Sequence, residues 1–164
     1  MKSLMLSFLL SAATVAALFS PSYAQKTGDE AAILSVLNNS RLAFDKRDLN
    51  GFTSYFIQSP NLYYQVYSGN EHMLLAYGWE AMKRMVGDHL KKEPASLAGK
   101  HTASDFRTHI NGNMAWVTSM GHLDLGGEKK ESRDLFILQK QNGQWKIAAL
   151  TTQEYTREKL ALIK

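Results

Sequence analysis

Apolar residues recur at helical spacing in the first half of the chain and alternate with polar residues in the second half. Near the start, the residues at this helical spacing predict a helix with one apolar face: Ile33, Leu34, Leu37, Arg41 and Phe44. A short second helix is predicted from Leu49, directly after the capping residue Asp48. A third helix is predicted from Trp79 to the residues before Pro94, which stops it.

Period-two alternation after Gly99 predicts four strands, at residues 102–110, 114–125, 128–140 and 144–155. The turns between them carry strong hairpin signals: Asn111-Gly112, Gly126-Gly127 and Asn142-Gly143. Two shorter strands are predicted earlier, at residues 62–67 and 72–76. Helices followed by a strand meander predict an α+β fold, with a curved antiparallel sheet wrapped around the N-terminal helices.

The N-terminus has the three parts of a secretory signal peptide. Lys2 is followed by the apolar run 4–19, and Ser22-Tyr23-Ala24 supplies small residues at a cleavage site. We therefore predict a signal peptide at 1–24, a single domain at 25–164 and a secreted or periplasmic location, with no membrane contact after cleavage. An uncleaved anchor is the alternative. Thr27 and Glu30 predict a capping box at the start of the first helix.

Composition excludes several kinds of site. The chain has 164 residues and no cysteine, so disulfides, thiolate metal sites and cysteine nucleophiles are excluded. A net charge of +4 is small and scattered, which argues against nucleic-acid binding. The five histidines form no pair with metal-ligand spacing, and no glycine-rich phosphate loop is present, so neither a metal nor a cofactor is predicted.

Two-residue hairpin loops would fix which strand residues lie opposite one another. In that register Asp134 lies between Ser119 and Thr151, and Ser104 lies opposite Ser119. The neighbouring positions align Gly121 with Ser132 and Gln153 on one side, and Phe106 with Val117, Phe136 and Ala149 on the other. These residues share one face of the sheet, which we call the inner face; it is apolar with a polar row at one end.

The opposite, outer face has polar edges and an apolar middle that includes Trp116, Leu135 and Ile137. A sheet surface exposed to water is normally more uniformly polar. We therefore predict a homodimer through the outer face. Cover by the C-terminal residues 156–164 is the alternative.

Several segments between Glu30 and Tyr155 resemble the SnoaL-like branch of the nuclear-transport-factor-like superfamily. They are Ile33 to Leu37, Arg47-Asp48-Leu49, Gly78 to Met82, Asn111 to Thr118, Glu131-Ser132-Arg133 and Asn142 to Ile147. The resemblance implies a cone-shaped domain with an internal pocket, often dimeric. It does not imply one activity, because this superfamily includes isomerases, cyclases, dehydratases, binding modules and assembly domains.

Asp134 is the candidate catalytic residue, because a carboxylate inside an apolar cone can act as a general acid or base. The candidate ligand-binding residues are Ser104, Ser119, Thr151, Gln153, Tyr55, Tyr64 and Phe136. The steroid-isomerase pattern is absent, since the first strand carries no carboxylate. His122 is predicted to oppose Glu131 on the outer face as an ion pair.

The predicted function is therefore binding of a small, largely apolar ligand in the cone, with no reaction assigned. The alternatives are a cofactor-independent isomerase, cyclase or dehydratase that uses Asp134, and a non-catalytic dimeric assembly module.

Overall fold

A computed structural model describes residues 21–68, 72–93 and 95–155, with side chains from Gly28 onward. These stretches form the helices α1 (Pro21–Asp45), α2 (Leu49–Ser54) and α3 (Trp79–Lys92), and the strands β1 (Tyr63–Tyr67), β2 (Met73–Tyr77), β3 (His101–Asn111), β4 (Met114–Asp124), β5 (Lys129–Gln141) and β6 (Gln144–Tyr155). No helix within them is both long and apolar enough to cross a membrane.

The six strands form one sheet in the order β2-β1-β6-β5-β4-β3. Neighbouring strands are antiparallel except for β1 and β6, which run parallel. The predicted α+β fold is confirmed: the sheet is curved and unclosed, and the helices pack on its inner face. The parallel pair of β1 and β6 differs from the predicted antiparallel sheet. It forms because β6, at the end of the meander of β3 to β6, lies beside β1 and runs in the same direction.

The predicted start of the first helix is wrong, since α1 covers Pro21–Asp45 and Thr27 lies inside it. Residues 22–26 contain no glycine or proline that would end the helix earlier. The cap of α2 is confirmed, because the Asp48 carboxylate accepts a hydrogen bond from the Gly51 amide at 2.8 Å. Most of the predicted signal peptide and the C-terminal residues 156–164 lie outside the described residues.

Gly78 sets the sharp turn between β2 and α3. Its φ of 83° is in the left-handed region, and its amide donates to the Leu62 carbonyl at 2.8 Å. A Cβ there would lie 3.3 Å from the Pro60 carbonyl oxygen, so both the conformation and the close approach favour glycine. The turn directs α3 back across the inner face.

The core lies between the helices and the inner face. Its fully buried side chains come from α1, α3, the loop before β1 and the strands β4, β5 and β6: Ile33, Leu62, Met82, Val117, Leu138 and Ile147. An aromatic chain with ring centroids 4.8–5.5 Å apart links Phe44 to Phe52 and Phe56. These contacts tie α1 and α2 to the sheet.

The predicted register is confirmed between β4 and β5, where Ser119 pairs with Asp134 and Val117 with Phe136. The prediction for β3 and β4 is wrong, because Asn111 pairs with Met114 and the turn therefore consists of Gly112 and Asn113. Farther along, the pairing shifts between Ser104 and Arg107, so Ser104 pairs with Met120 rather than Ser119.

The register between β5 and β6 is confirmed only near the turn. Gln141 pairs with Gln144 and Leu138 with Ile147, but the next pair joins Ile137 to Ala149. A bulge at Ala148 therefore adds one residue to β6. Every later β6 side chain lies on the opposite face from the one predicted.

Candidate functional site

Asp134 is the centre of a polar cluster on the inner face. Its Oδ1 accepts a hydrogen bond from the Ser132 hydroxyl at 3.0 Å, and its Oδ2 accepts one from the Ser119 hydroxyl at 3.3 Å. Thr152 also hydrogen-bonds to this carboxylate. Burial raises the pKa of Asp134 above its ordinary value, although the three hydroxyl donors oppose the rise.

The pairing of β4 with β5 explains why these groups meet. Ser119 lies opposite Asp134, and Gly121 lies opposite Ser132, so all four share the inner face. Gly121 leaves room for the Ser132 hydroxyl, because a Cβ there would overlap that oxygen and lie 3.3 Å from Asp134 Oδ2. A side chain at position 121 would therefore displace a hydrogen-bond donor of Asp134.

Tyr64 brings a phenol to the same region from β1. The residue is 6% exposed, and it shares the inner face with Leu150 and Ala76, its neighbours on β6 and β2. Burial raises the pKa of the Tyr64 hydroxyl, and the negative charge of Asp134 adds to the rise. Tyr64 consequently keeps its proton and can act as a hydrogen-bond donor.

A second carboxylate, which is buried, pairs with a partly exposed imidazole on the same face of the sheet. The His101 Nδ1 lies 3.2 Å from the Asp45 Oδ1, and Asp45 is 2% exposed. Asp45 is the last residue of α1, and its carbonyl accepts hydrogen bonds from the Leu97 amide and the Ser96 hydroxyl, each at 2.9 Å. The charge of His101 lowers the pKa of Asp134, so the two groups are within electrostatic range of each other.

The sequence pattern did not predict this pair. One feature of the sequence could have indicated it: Asp45 is a carboxylate on the apolar face of the first helix. It lies eight positions after Leu37 and twelve after Ile33, which places it near the same face as both. His101 opens the first strand of the meander, and only the fold brings that strand to the end of α1.

Three of the predicted binding residues lie elsewhere. Ser104 lies on the outer face, where its hydroxyl is 2.9 Å from the His122 Nε2. Because of the bulge in β6, Asp134 pairs with Thr152 and not with the predicted Thr151. For the same reason Ser132 pairs with Glu154 and not with Gln153. The physical reason in each case is one extra residue in a strand, which reverses the face of everything beyond it.

The other predicted residues lie on the inner side. Ser119 contacts Asp134 as described, and Phe136 lies on the inner face opposite Val117 and Leu150. Tyr55 ends α2, where its carbonyl accepts a hydrogen bond from the Ile147 amide at 2.8 Å and its partly buried side chain packs on the core.

Two surface clefts lie away from the Asp134 cluster. One of about 520 Å³ surrounds the start of α3 and includes Pro60, Gly78 and Arg84. The other, of about 300 Å³, lies on the outer face and is lined by Met114, Ala115, Trp116, Leu135 and Ile137.

Solved structures share this architecture. An NTF2-like protein of unknown function from Pseudomonas putida KT2440 superimposes with a TM-score of 0.66 at 15% identity, covering 84% of this chain and 96% of that one. A cystatin-like-fold protein of unknown function from Nostoc punctiforme PCC 73102 gives 0.62 at 18% identity, covering 79% and 92%. The chain has the NTF2-like, cystatin-like fold.

A third NTF2-like neighbour carries a named activity. It is a "Putative Scytalone Dehydratase" from Novosphingobium aromaticivorans DSM 12444, with a TM-score of 0.64 at 15% identity, covering 82% of this chain and 89% of that one. No protein-family model and no curated protein matches the chain. At these identities the comparisons show a common NTF2-like fold, while function has to be argued from the residues of the site.

Proposed function

We propose that this protein is a cofactor-independent acid–base enzyme. Its substrate would be a small, largely apolar molecule with a carbonyl group, bound on the inner face beside Asp134. One observation carries this function: His101 Nδ1 lies 3.2 Å from the buried Asp45 carboxylate, on the same face of the sheet as a second, partly buried carboxylate, Asp134. Two titratable groups in different surroundings are what proton transfer at neutral pH requires.

His101 is the proposed base. A neutral imidazole that donates its Nδ1 proton to Asp45 has its lone pair on Nε2, which can then accept a proton from the substrate. Asp45 is 2% exposed, so little water competes for this contact. The carboxylate would fix the tautomer and orientation of the ring and stabilise the imidazolium that forms.

Tyr64 is the proposed donor, and Asp134, whose pKa is raised by burial, is a second donor whenever it carries its proton. When Nε2 removes a proton from the carbon next to the carbonyl, the negative charge moves to the carbonyl oxygen. A hydrogen bond from either donor would stabilise that enolate. If His101 returns the proton to a different atom of the substrate, the reaction is an isomerisation or cyclisation. If His101 gives the proton to a hydroxyl group that leaves the substrate as water, the reaction is a dehydration. The dehydratase name of the Novosphingobium neighbour fits this class of reaction.

Ligand binding without catalysis is the second candidate. It is favoured by the hydroxyl groups of Ser119, Ser132 and Thr152, which already hydrogen-bond the Asp134 carboxylate as a structural network would. The inner face beside Asp134 would then select a ligand by shape and hydrogen bonds alone.

Hydrogen–deuterium exchange distinguishes the two functions. The mature chain is incubated in D2O with α-tetralone, an apolar ketone with exchangeable protons next to its carbonyl, and exchange is followed by NMR. We expect catalysed exchange that falls at least about 100-fold in His101→Gln. The matched control is His109→Gln, because His109 stacks on Trp116 on the outer face. Ketone binding with no exchange above the buffer rate would support the second candidate.

Export and dimerisation complete the proposal. The predicted signal peptide, residues 1–24, supports secretion or a periplasmic location. A homodimer through the outer face is supported by its exposed large apolar side chains: Met73, Leu75, Tyr77, Met114, Trp116, Leu135 and Ile137.

A further inference from the structure

Ser104, His122 and Glu131 form a line across three neighbouring strands of the outer face. The Ser104 Oγ lies 2.9 Å from the His122 Nε2, and the His122 Nδ1 lies 3.7 Å from the Glu131 Oε1. The imidazole thus has a hydroxyl at one nitrogen and a carboxylate at the other. This is the order of groups in a serine nucleophile with its base and the acid that orients the base.

The strands hold these groups in place. His122 on β4 pairs directly with Glu131 on β5, and Ser104 on β3 pairs with Met120, two residues away from His122 on the same face. The Glu131 side chain is 15% exposed and that of His122 is 34% exposed. The carboxylate is therefore shielded, while the imidazole and the hydroxyl remain accessible from solvent.

The backbone leaves its regular form directly after Ser104. Asp105 has a φ of 54°, in the left-handed region that side chains other than glycine seldom occupy. Asp105 and Phe106 have no paired residue on β4, so the hydrogen-bond ladder is interrupted beside the Ser104 hydroxyl. An unusual conformation next to a nucleophile is a reason to test for function, since strain of this kind collects at reactive sites.

We propose that Ser104 is a nucleophile toward small activated esters, at a second site on the face opposite Asp134. The Ser104 Oγ attacks the ester carbonyl while its proton passes to the His122 Nε2. The bond to the alcohol then breaks, and the alcohol leaves with that proton. Water, deprotonated by His122, hydrolyses the acyl-serine to a carboxylic acid and returns the free serine.

The site lies beside the proposed dimer interface. Ser104 is on β3, the edge strand of the sheet, whereas the apolar middle of the outer face lies on β4 and β5 at Trp116 and Ile137. Met120, which pairs with Ser104, and Trp116 are four residues apart on β4, roughly 13 Å along an extended strand. A small ester can therefore reach Ser104 while a second copy of the chain covers Trp116.

A fluorophosphonate probe tests the site without knowledge of the natural ester. Ser104 Oγ would bond to phosphorus, fluoride would leave, and His122 would take the proton. We expect the full mature chain to gain the mass of one adduct, which peptide mapping places on Ser104. Hydrolysis of p-nitrophenyl butyrate should be lost in Ser104→Ala.

The variants separate activation from accidental labelling. His122→Gln should slow adduct formation at Ser104 at least 10-fold, and Glu131→Gln should slow it by a smaller factor. Ser54→Ala is the matched control, because its exposed hydroxyl donates to the Gly51 carbonyl at the end of α2, and it should label like the natural chain. Absence of a Ser104 adduct on the folded natural chain would overturn the proposal. So would an adduct that forms at the same rate in folded His122→Gln.

Discussion

Asp134 combines an unfavourable environment with three favourable contacts. Its burial disfavours the charged form, and this cost outweighs the hydrogen bonds that lower its pKa. A carboxylate in this position is retained at the expense of stability. A titratable group that burial perturbs in this way is a candidate for a role of its charge or its proton.

Replacement of Asp134 by asparagine should stabilise the protein at neutral pH. The pKa of Asp134 is raised on folding, so its contribution to stability is present below the ordinary aspartate pKa and is lost as the pH rises through the folded-state value. Asp134→Asn should therefore unfold at a higher urea concentration than the natural chain at pH 7.5, with the difference shrinking toward pH 3.5. A variant that is less stable at pH 7.5 would show that the carboxylate network is structural.

Gly121 tests the same network from the opposite strand. Gly121→Ala puts a methyl group against the Ser132 hydroxyl, so we expect a loss of about 1–3 kcal/mol in the free energy of unfolding. Displacement of that donor should also raise the pKa of Asp134 further, which a carboxyl NMR titration would detect. Gly127→Ala is the control, because no atom lies within 4 Å of the added Cβ. Equal effects of the two changes would contradict the predicted overlap.

At the scale of elements, one carboxylate attaches α1 to the β5–β6 hairpin. Asp29 Oδ1 accepts hydrogen bonds from Lys140 Nζ at 2.6 Å and from Trp145 Nε1 at 3.0 Å. The Lys140 contact, followed by the Trp145 contact, lowers the pKa of Asp29. Its contribution to stability is therefore present above the ordinary aspartate pKa and is lost as the pH falls through the lowered value.

Asp29→Ala should lower the free energy of unfolding by about 1–2 kcal/mol at pH 7. The physical reason is that Lys140 and Trp145 lose a shared acceptor. Urea unfolding measures the loss, with Glu30→Ala as the control because Glu30 is exposed on the same helix. If both variants lost the same stability, helix propensity rather than the attachment would explain the result.

The β3 bulge should be sensitive to residue type. Asp105→Val places a β-branched residue at a φ of 54° and should cost about 1–2 kcal/mol, whereas Asp105→Gly relieves the strain. Thermal unfolding of the two variants measures the difference. Equal midpoints would mean that β3 can change register without penalty.

The same elements show how far the sequence could predict the fold. The Gly126-Gly127 turn correctly placed Ser119 opposite Asp134, because a tight hairpin fixes its own register. The bulges at Asp105 and Ala148 carried no glycine or proline to indicate them, and they moved Ser104, Thr151 and Gln153 away from Asp134. The Asp45–His101 contact joins residues 56 positions apart, so only tertiary packing creates it.

At the scale of the whole molecule, the outer face carries a patch of exposed apolar side chains. Trp116 is 46% exposed, and the groove beside it also includes Leu135 and Ile137. Large apolar side chains in one patch favour association with a second copy of the chain.

Ile137→Lys should convert the proposed dimer to a monomer, because it places a charge in the middle of the outer face. Native mass spectrometry or light scattering at micromolar concentration measures the mass. Leu125→Lys is the control: it replaces an apolar residue of similar exposure in the β4–β5 turn. A natural chain that is monomeric at these concentrations would contradict the proposed interface.

The position of β6 in the sheet has a consequence for synthesis of the chain. Among the described strands β6 comes last in the chain, yet it lies between β5 and β1 and supplies the edge to which the β1–β2 hairpin attaches. During synthesis the β1–β2 hairpin therefore has no neighbouring strand until residues 144–155 have been added. The two parts of the sheet can join only after that point, so the complete sheet cannot form while β6 is still inside the ribosome.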